Sequence, residues 1–195
     1  MPGLAQSYVS QDSAPIKKEL TVVFVDIANS TSTIVNQSPE IALDLVQGFM
    51  AMVTEIALEN CGDVKDYEGD GALLYFESVT EAVRAALAIR TALAERRPGN
   101  GQPGLQARIS LNLGDIIIGV IGVAMRRSVA LIGPSINLAS RLLKHIPPGG
   151  IIATQAALER LSRETPALAE RFQPLDQRLE LKGFENEYVS TFHIP

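Results

Sequence analysis

The sequence predicts an α+β domain in which helices pack on a mainly antiparallel sheet. Three observations lead to this fold class. Residues 20–27, LTVVFVDI, form an apolar run of strand length, which is typical of a buried strand. Residues 39–60 repeat apolar side chains at helical spacing behind Ser38, a suitable N-cap. The tripeptide GDG at 69–71 lies between two strand-like segments and indicates a β-hairpin.

The later segments continue the alternation of strands and helices. A second amphipathic helix is expected at residues 78–96, and two further strands on either side of Gly114 and Asp115, a pair that favours a turn. A third helix is expected from the segment GPSINLASRLLKHI, before the breaker PPGG. The C-terminal part predicts short helices near 155–171 and strands near 178–181 and 187–193. This order is close to the ferredoxin-like pattern, with the helices on one face of the sheet.

Length, composition and charge restrict the kind of protein. The chain has 195 residues, of which 46% are hydrophobic, and this suits one packed domain. We expect residues 1–18 to form a flexible N-terminal tail and residues 19–195 to form the domain. The net charge of −5 lacks the basic footprint of a nucleic-acid-binding protein, so no nucleic-acid partner is expected.

Cysteine content and hydropathy predict a cytoplasmic location. Cys61 is the single cysteine, which excludes an intrachain disulfide and predicts a buried, unreactive thiol. The N-terminal segment lacks the apolar stretch of a secretory signal. No uninterrupted apolar run approaches the roughly 18 residues that a membrane span requires. We therefore expect neither a membrane anchor nor a sensor domain.

Asp26 and Asp70 are the main candidates for chemistry. Asp26 ends the first buried strand, and Asp70 lies in the hairpin that the ferredoxin-like order places beside it. Two converging carboxylates without a basic partner favour a divalent cation, because like charges otherwise raise a pKa. Oxygen ligands suit Mg²⁺ or Mn²⁺. Each residue also has an ordinary interpretation, Asp26 as a helix cap and Asp70 as a turn residue, and the residues alone leave both open.

Five segments in order resemble the catalytic domain of class III nucleotidyl cyclases: FVDIANST, YEGDGALLYF, LNLGDIIIGVIG, IGPSINLASRL and LELKGFENEYVSTF. The resemblance extends over about residues 20–194. It implies a ferredoxin-like cyclase homology domain that converts a nucleoside triphosphate to the 3′,5′-cyclic monophosphate and pyrophosphate. It also implies a head-to-tail homodimer with two shared active sites, in which one chain supplies the metal aspartates and the other supplies the remaining groups.

The resemblance also implies roles for individual residues. Two metal ions per site, Mg²⁺ or Mn²⁺, would be held by Asp26, Asp70 and the backbone carbonyl of Ile27. Asn137 would position the ribose, and Arg141 would stabilise charge on the α-phosphate. Because these two residues are four apart, they share one face of a helix. Lys182, in the segment LKG, would hold the terminal phosphates.

Two base-contacting positions depart from the adenylyl cyclases of this class. Four residues before the second metal aspartate, where those enzymes carry a lysine, this chain has Asp66. The neighbouring Lys65 should point to the opposite face by strand alternation, unless a one-residue bulge shifts it. Seven residues before Asn137, where those enzymes carry an aspartate, this chain has Ala130. Adenine is therefore not the expected base.

A carboxylate at position 66 favours a base that presents an N–H group, because a carboxylate only accepts hydrogen bonds. Uracil offers N3–H and guanine offers N1–H, whereas N3 of cytosine is an acceptor. Guanylyl cyclases of this class carry a glutamate here, but Asp66 is shorter, and Tyr67 and Glu68 beside it are larger than the usual residues. The segment KDYEGDGALLYF also resembles the pyrimidine cyclases of bacterial antiphage defence. The sequence thus favours UTP, followed by GTP and then CTP.

A second interpretation belongs to a different class of protein, a catalytically silent cyclase-like dimer that binds nucleotide or a protein partner. Only the base contacts depart from the family pattern, whereas the residues of the mechanism are all retained: Asp26, Asp70, Asn137, Arg141 and Lys182. A decayed enzyme is expected to lose metal ligands as readily as base contacts. The sequence therefore favours the active enzyme.

Overall fold

The structure is a computed structural model that describes residues 14–31, 37–96, 104–175, 179, 181, 183–184 and 189–195. Its strands are β1 (Ile16–Ile27), β2 (Asp63–Glu68), β3 (Gly71–Phe76), β4 (Ala107–Val123), β5 (Arg126–Ile132), β6 (Ile151–Thr154), β7 (Gln173–Pro174) and β8 (Thr191–Ile194). Its helices are α1 (Pro39–Glu59), α2 (Val79–Glu95), α3 (Pro134–Leu142), α4 (Gln155–Glu164) and α5 (Pro166–Ala169), with a 3₁₀ turn at Leu143–His145.

The eight strands form one sheet in the order β2-β3-β1-β4-β6-β8-β7, and β5 pairs with β4 outside this path. Within the described part of the chain, β4 and β6 form the one parallel pair, and the other pairings are antiparallel. The predicted α+β class with a mainly antiparallel sheet is therefore confirmed. The strand with Asp26 lies in the middle of the sheet, and the strand with Asp66 lies at its edge.

Helices cover both faces of the sheet, so the prediction of helices on one face is wrong. Val23 and Val25 of β1 pack in a large core with side chains of α1, α2 and α4. Phe24 faces the other way and packs in a second core with Ala139 of α3. Because side chains alternate along a strand, Asp26 lies on the same side as Phe24. We call this side of β1, β2, β3 and β4, which α3 covers, the site face.

Two predicted boundaries are wrong because β1 and β4 are longer than their apolar runs suggest. β1 begins at Ile16, so residues 16–18 belong to the sheet and not to the tail. β4 continues through Gly114 and Asp115, and the turn comes after Val123. The pairing of β1 with β4 runs from Ile16 opposite Ile118 to Ile27 opposite Ala107. It supplies backbone hydrogen-bond partners at Gly114 and Asp115, where a turn was expected. Residues 1–13 of the predicted tail lie outside the described residues.

The other expected elements are confirmed within a few residues, apart from the strand expected near 178–181. The expected burial of Cys61 is wrong. Cys61 is exposed and not buried, because it follows α1 in a left-handed conformation with φ of 57°. Most of the strand expected near 178–181 lies outside the described residues. The last strand is Thr191–Ile194, which begins four residues after the expected start.

One described helix, α1, has the length and composition of a membrane span. Its most apolar window has a mean hydropathy of 1.6, and 28% of that window is buried in the domain. The helix contains no uninterrupted apolar run of that length, because Asp44 and Glu55 lie within it. The helix packs Phe49, Val53 and Ala57 into the core, so composition alone is weak evidence for a span. Cytoplasmic localisation stays a prediction.

Candidate active site

The carboxyl groups of Asp26 and Asp70 converge at one end of β1 and β3. Asp26 lies opposite Gly71 in the antiparallel register, and the backbone N–H of Ile27 donates to the carbonyl oxygen of Asp70 at 3.2 Å. The two carboxyl groups are within hydrogen-bonding reach of one another. The predicted convergence is confirmed. Coordination of metal by these carboxylates, and by the carbonyl of Ile27, stays a prediction.

Glycines on both sides of Asp70 permit this approach. Gly69 has φ of +65°, the left-handed conformation that the tight β2–β3 turn requires. Gly71 lies directly against Asp26, since a Cβ there would stand 3.0 Å from the carbonyl oxygen of Val25 and 3.4 Å from Oδ1 of Asp26. The GDG sequence therefore makes the turn and also leaves space for the Asp26 carboxyl group.

The pKa of Asp26 is raised from 3.8 to about 6. Burial is the main cause, followed by the hydrogen bond to Asp70 and the negative charge of Asp70. Arg108 and the backbone N–H of Ile27 act in the opposite direction without cancelling the effect. Two half-buried carboxyl groups in contact disfavour double ionisation, and this is the environment that a bound cation would relieve.

Arg108 is a neighbour of this pair that sequence reasoning missed. It lies opposite Asp26 in the β1–β4 register, and its charge favours the ionised form of that aspartate. Its Nε donates to the carbonyl oxygen of Ile146 at 3.1 Å, and Nη2 donates to Oδ1 of Asn29 at 3.4 Å. These contacts hold Arg108 beside the carboxyl pair. Only the strand register could have identified it, because the segment QARIS carries no motif.

The helix α3 carries Asn137 and Arg141 over the site face. Asn137 is exposed, whereas Nε of Arg141 is buried and has no hydrogen-bond partner among the described residues. Arg141 lines a cavity of about 270 Å³ together with Asp26, Glu68 and Gly71 of the same chain. The arginine and one metal-ligand candidate thus border a common space within a single chain.

The structure contains the bulge that would move Lys65. Val64 lies opposite Leu74 and Asp66 lies opposite Leu73, so Lys65 is an extra residue between two consecutive pairs. Nζ of Lys65 lies 2.5 Å from Oδ2 of Asp66. The Lys65 side chain is only 11% exposed, whereas that of Asp66 is 57% exposed. Strand alternation therefore does not separate the two side chains, and they form an ion pair.

The residues that follow Asp66 lie on different sides of the sheet. Tyr67 is on the α1 side, where its hydroxyl group is 2.7 Å from the hydroxyl group of Thr54. Glu68 lines the 270 Å³ cavity with Asp26. The larger side chain of Tyr67 therefore lies on the opposite face of β2 from that of Glu68, because neighbouring strand residues face opposite ways.

Ala130 is distant from Asp66 in the same chain. It is buried on β5 opposite Gly119 of β4, and β4, β1 and β3 separate β5 from β2. Four strand spacings of about 4.8 Å separate these two positions, which corresponds to about 19 Å measured across the sheet. One chain therefore does not bring both predicted base contacts together. Lys182, predicted to hold the terminal phosphates, lies outside the described residues.

The structure adds no further metal-ligand candidates among the described residues to Asp26, Ile27 and Asp70. In the described ranges, histidine, cysteine, aspartate and glutamate form no group of three or more suited to a metal ion. The donor set is thus the carboxyl pair of Asp26 and Asp70, with the neighbouring backbone at Ile27. All of these donors are oxygen atoms, which suit hard divalent cations such as Mg²⁺ and Mn²⁺.

Comparison with known proteins identifies the class to which this fold and site belong. Residues 13–194 match the family model of the adenylate and guanylate cyclase catalytic domain. The adenylyl cyclase CyaB from P. aeruginosa superposes with a TM-score of 0.79 at 23% identity, over 94% of this chain and 96% of that chain. The guanylate cyclase domain of RhGC from Catenaria anguillulae, in complex with GTP, also gives 0.79 at 23% identity, over 94% and 98%.

The chain belongs to the adenylate and guanylate cyclase catalytic domain family. It is also 31% identical over 156 residues to an uncharacterised protein from Mycobacterium tuberculosis. That match covers 77% of this chain and 29% of the relative, so the chain spans less than a third of the relative's length. Nucleotidyl cyclase chemistry defines this family, and class III members generally use Mg²⁺ or Mn²⁺.

Proposed function

We propose that this chain is an active nucleotidyl cyclase domain that converts a ribonucleoside triphosphate, with UTP as the best candidate, to the 3′,5′-cyclic monophosphate and pyrophosphate. The observation that carries the proposal is the convergence of the Asp26 and Asp70 carboxyl groups at adjacent strand ends. Membership of the cyclase family supports the reaction class. The choice of base rests on Asp66 and its partner Lys65.

The carboxyl pair fits a divalent metal site. The raised pKa of Asp26 shows that burial and Asp70 disfavour two adjacent negative charges, and a cation would balance them. Asp26, Asp70 and the carbonyl of Ile27 would hold Mg²⁺ or Mn²⁺ through oxygen atoms. When bound, two such ions neutralise charge on the attacking and leaving oxygen atoms.

The reaction needs one bond to form and one to break at the α-phosphorus. The ribose 3′-hydroxyl gives its proton to solvent water and its oxygen bonds to the α-phosphorus, while the bond between the α-phosphorus and the bridging oxygen breaks and that oxygen leaves with pyrophosphate. Asn137 orients the ribose, and Arg141 offers planar N–H donors to the α-phosphate oxygens as their charge is redistributed. Its buried, unpartnered Nε supports this role for Arg141, because a phosphate oxygen would supply the missing acceptor. Lys182 is proposed to hold the terminal phosphates.

The Lys65–Asp66 pair supports uracil on grounds of hydrogen bonding. Its carboxylate accepts a hydrogen bond and its ammonium donates one. The edge of uracil presents N3–H between two carbonyl oxygens. If N3–H donates to Asp66, one of the two uracil carbonyl oxygens is next to Lys65 whichever side of N3–H the ammonium group occupies. That oxygen can accept a hydrogen bond from Lys65. Guanine places a carbonyl on only one side of N1–H, so GTP is the second candidate. The ammonium also gives N3 of cytosine a donor, which keeps CTP third.

Resemblance to the pyrimidine cyclases of bacterial antiphage defence suggests a biological role. We propose that the cyclic nucleotide acts as a second messenger, in antiphage defence or a similar response. The resemblance lies in the segment KDYEGDGALLYF. This segment contains Lys65 and Asp66, the two residues proposed to contact the base, and Asp70, the second proposed metal ligand.

We further propose a homodimer with shared active sites. The separation of Ala130 and Asp66 by about 19 Å across the sheet supports this arrangement, because a second chain is needed to bring both positions to one base. The cavity that Arg141 and Asp26 share within one chain favours the alternative, a site in each chain. Mixing of variant chains, described in the Discussion, separates these two arrangements.

A product screen tests the proposed function. Equal concentrations of ATP, GTP, UTP and CTP are incubated together with Mg²⁺ or Mn²⁺, and cyclic products are resolved by mass while pyrophosphate is assayed separately. We expect metal-dependent pyrophosphate release and cyclic UMP as the main product. Cyclic GMP as the main product would refute the choice of uracil, and cyclic AMP would refute the role of Asp66. Binding of nucleotide without any product would favour the catalytically silent dimer.

A further inference from the structure

The site face of β4 contacts α3 through polar groups. The hydroxyl group of Ser110 donates to the carbonyl oxygen of Ala139 at 2.7 Å, and Nδ2 of Asn112 donates to the carbonyl oxygen of Ser135 at 2.9 Å. Ser110 is fully buried and Asn112 is 3% exposed. Both side chains lie on one face of the strand and reach the backbone of the same helix. Buried hydrogen bonds are directional, so they specify where the helix lies along the strand.

The next position on this face of β4 is occupied by Gly114. A Cβ at this glycine would stand 2.1 Å from Oγ and 3.0 Å from Cβ of Ser135. Rotation of the Ser135 hydroxyl group would remove the first of these contacts but not the second, so glycine lets the first turn of α3 approach the strand without displacement. Ser110, Asn112 and Gly114 are spaced by two residues, and together they seat more than one turn of the helix.

Thr154 of the neighbouring strand β6 fixes the orientation of Asn112. Its hydroxyl group donates to Oδ1 of Asn112 at 2.7 Å, and Thr154 is 4% exposed. With Oδ1 occupied in this way, Nδ2 is directed toward the carbonyl oxygen of Ser135. In the opposite orientation an amide oxygen would face that carbonyl, and two acceptors would meet without a proton.

The two anchored carbonyl groups stand in a fixed relation to the proposed site residues. Ser135 precedes Asn137 by two residues, and Ala139 precedes Arg141 by two residues. The apolar contacts of α3, which include Ala139 and Leu142, are not directional, so they specify the position of the helix along the strand less strictly than hydrogen bonds do. The hydrogen bonds to β4 do not tolerate a change of register.

We propose that Ser110, Asn112 and Thr154 are positioning residues that set the location of Asn137 and Arg141 through the backbone of α3. The inference rests on the proposed function, because it assumes that these two residues contact substrate. A displacement of about 1 Å at a reacting centre lowers a rate by roughly a hundredfold. Loss of the hydrogen bonds should therefore lower kcat much more than it changes KM.

The first test replaces Thr154 by valine, which keeps the shape of the side chain and removes the hydroxyl group. We expect Thr154→Val to lower kcat about 10- to 100-fold per folded molecule, with KM within about twofold of the wild type. Thr154→Ser keeps the donor and should restore most of kcat. Ser110→Ala, which removes the second anchor, should show the same split. Ser128→Ala is the matched control, since among the described residues that exposed hydroxyl group donates to the adjacent carbonyl of Val129, and its kinetics should not change.

A double-mutant cycle tests whether the effect passes through Arg141. In an Arg141→Lys background, whose geometry no longer suits the phosphate, Thr154→Val should cost much less activity than in the wild-type background. The same cycle is run in an Asn137→Ala background, because the Ser135 anchor lies two residues before Asn137. A loss from Thr154→Val that is as large in both variant backgrounds as in the wild type would overturn the inference. So would a loss explained entirely by a lower folded fraction, with kcat per folded molecule unchanged.

Hydrogen exchange of residues 134–142, without nucleotide or metal, gives a reading independent of activity. Thr154→Val should speed exchange in α3 by at least about tenfold, and Thr154→Ser should not. Unchanged exchange in Thr154→Val would overturn the positioning role whatever the kinetics show. If the wild-type protein forms no cyclic product, the proposed function fails, and the exchange experiment still decides whether β4 and β6 anchor α3.

Discussion

The metal-ligand candidates and the base-contact candidates lie in regions of the sheet with different constraints. Asp26 is on β1, which is paired on both sides, by β3 and by β4. Asp66 is on the edge strand β2, next to a one-residue bulge, and its side chain is 57% exposed. An inserted residue in a central strand disturbs two ladders of hydrogen bonds, whereas an insertion at an edge disturbs one. The base-contact residue Asp66 on the edge strand β2 can therefore vary without disturbing the strand pairing that holds Asp26 on β1.

The largest effect is expected from changing the carboxyl pair, Asp26 on β1 and Asp70 in the β2–β3 turn. Asp26→Asn or Asp70→Asn should lower turnover by roughly a thousandfold or more, because metal stabilisation of the transition state is worth several kcal/mol. The fold should survive, since burial already disfavours the charged form of Asp26. Circular dichroism and metal-dependent pyrophosphate release measure the two properties. Substantial Mg²⁺-dependent activity in either folded variant would refute the metal assignment.

The second prediction concerns whether Arg141 acts on the Asp26–Asp70 pair of its own chain or of a second chain. Asp26→Asn chains and Arg141→Ala chains, each inactive alone, are mixed and allowed to exchange subunits. With shared sites, half of the dimers are mixed and each mixed dimer has one intact site, so roughly a quarter of wild-type activity should return. Chains labelled at different masses report the exchange. Exchange without recovered activity would mean that Arg141 acts on the carboxyl pair of its own chain, across the cavity that both residues line.

The third prediction perturbs the edge strand alone. Deleting Lys65 removes the extra residue, so the pairs Val64–Leu74 and Asp66–Leu73 become consecutive. Preference for the favoured base should fall about 10- to 100-fold, as expected for loss of a charge-assisted hydrogen bond. Turnover of the best remaining nucleotide should change far less. The measurement is kcat/KM for each of the four nucleotides.

Lys17→Met serves as the control for the Lys65 deletion. Lys17 also pairs with an aspartate, Asp115, at 2.7 Å, but both side chains are more than 60% exposed. Exposed ion pairs contribute little, so base preference should not change. An unaltered preference in the Lys65 deletion as well would show that the bulge takes no part in base selection.

The smallest effect concerns the pH dependence of stability without metal. Folded Asp26 has a pKa of about 6, against 3.8 in an unperturbed chain, so between these pH values the folded state binds a proton that the unfolded state has released. The contribution of this group to stability is therefore lost as pH rises from about 4 to about 6, and is constant above. Asp26→Asn should lack this dependence.

Denaturant unfolding in EDTA, compared between wild type and Asp26→Asn across this range, measures the pH effect. The wild-type protein should lose stability relative to the variant as pH rises toward 6. A difference that is independent of pH would show that the pKa of Asp26 is not raised in the folded chain.

Local sequence patterns predicted most elements because their causes are local. Apolar periodicity identified α1 and α2, and the predicted N-cap Ser38 does accept a hydrogen bond at the N-terminus of α1. Ser78, which was not predicted as a cap, accepts one at the N-terminus of α2. The GDG hairpin was correct because Gly69 needs a left-handed conformation. The turn at Gly114-Asp115 was wrong, since pairing with β1 overrode a local preference. The placement of α3 on the opposite face was also missed, because amphipathicity shows that a helix packs but not against which face.

The sequence by itself determined the family, the choice of Asp26 and Asp70 as candidates and the four-residue spacing of Asn137 and Arg141. Each of these depends on the types of residues in a short segment of the chain. Only the tertiary structure decided what these groups face. Strand register placed Arg108 beside Asp26, the bulge joined Lys65 to Asp66, and Thr154 reached Asn112 from another strand. Such contacts join residues far apart in the chain, and a shift of one residue in register turns a side chain to the other face.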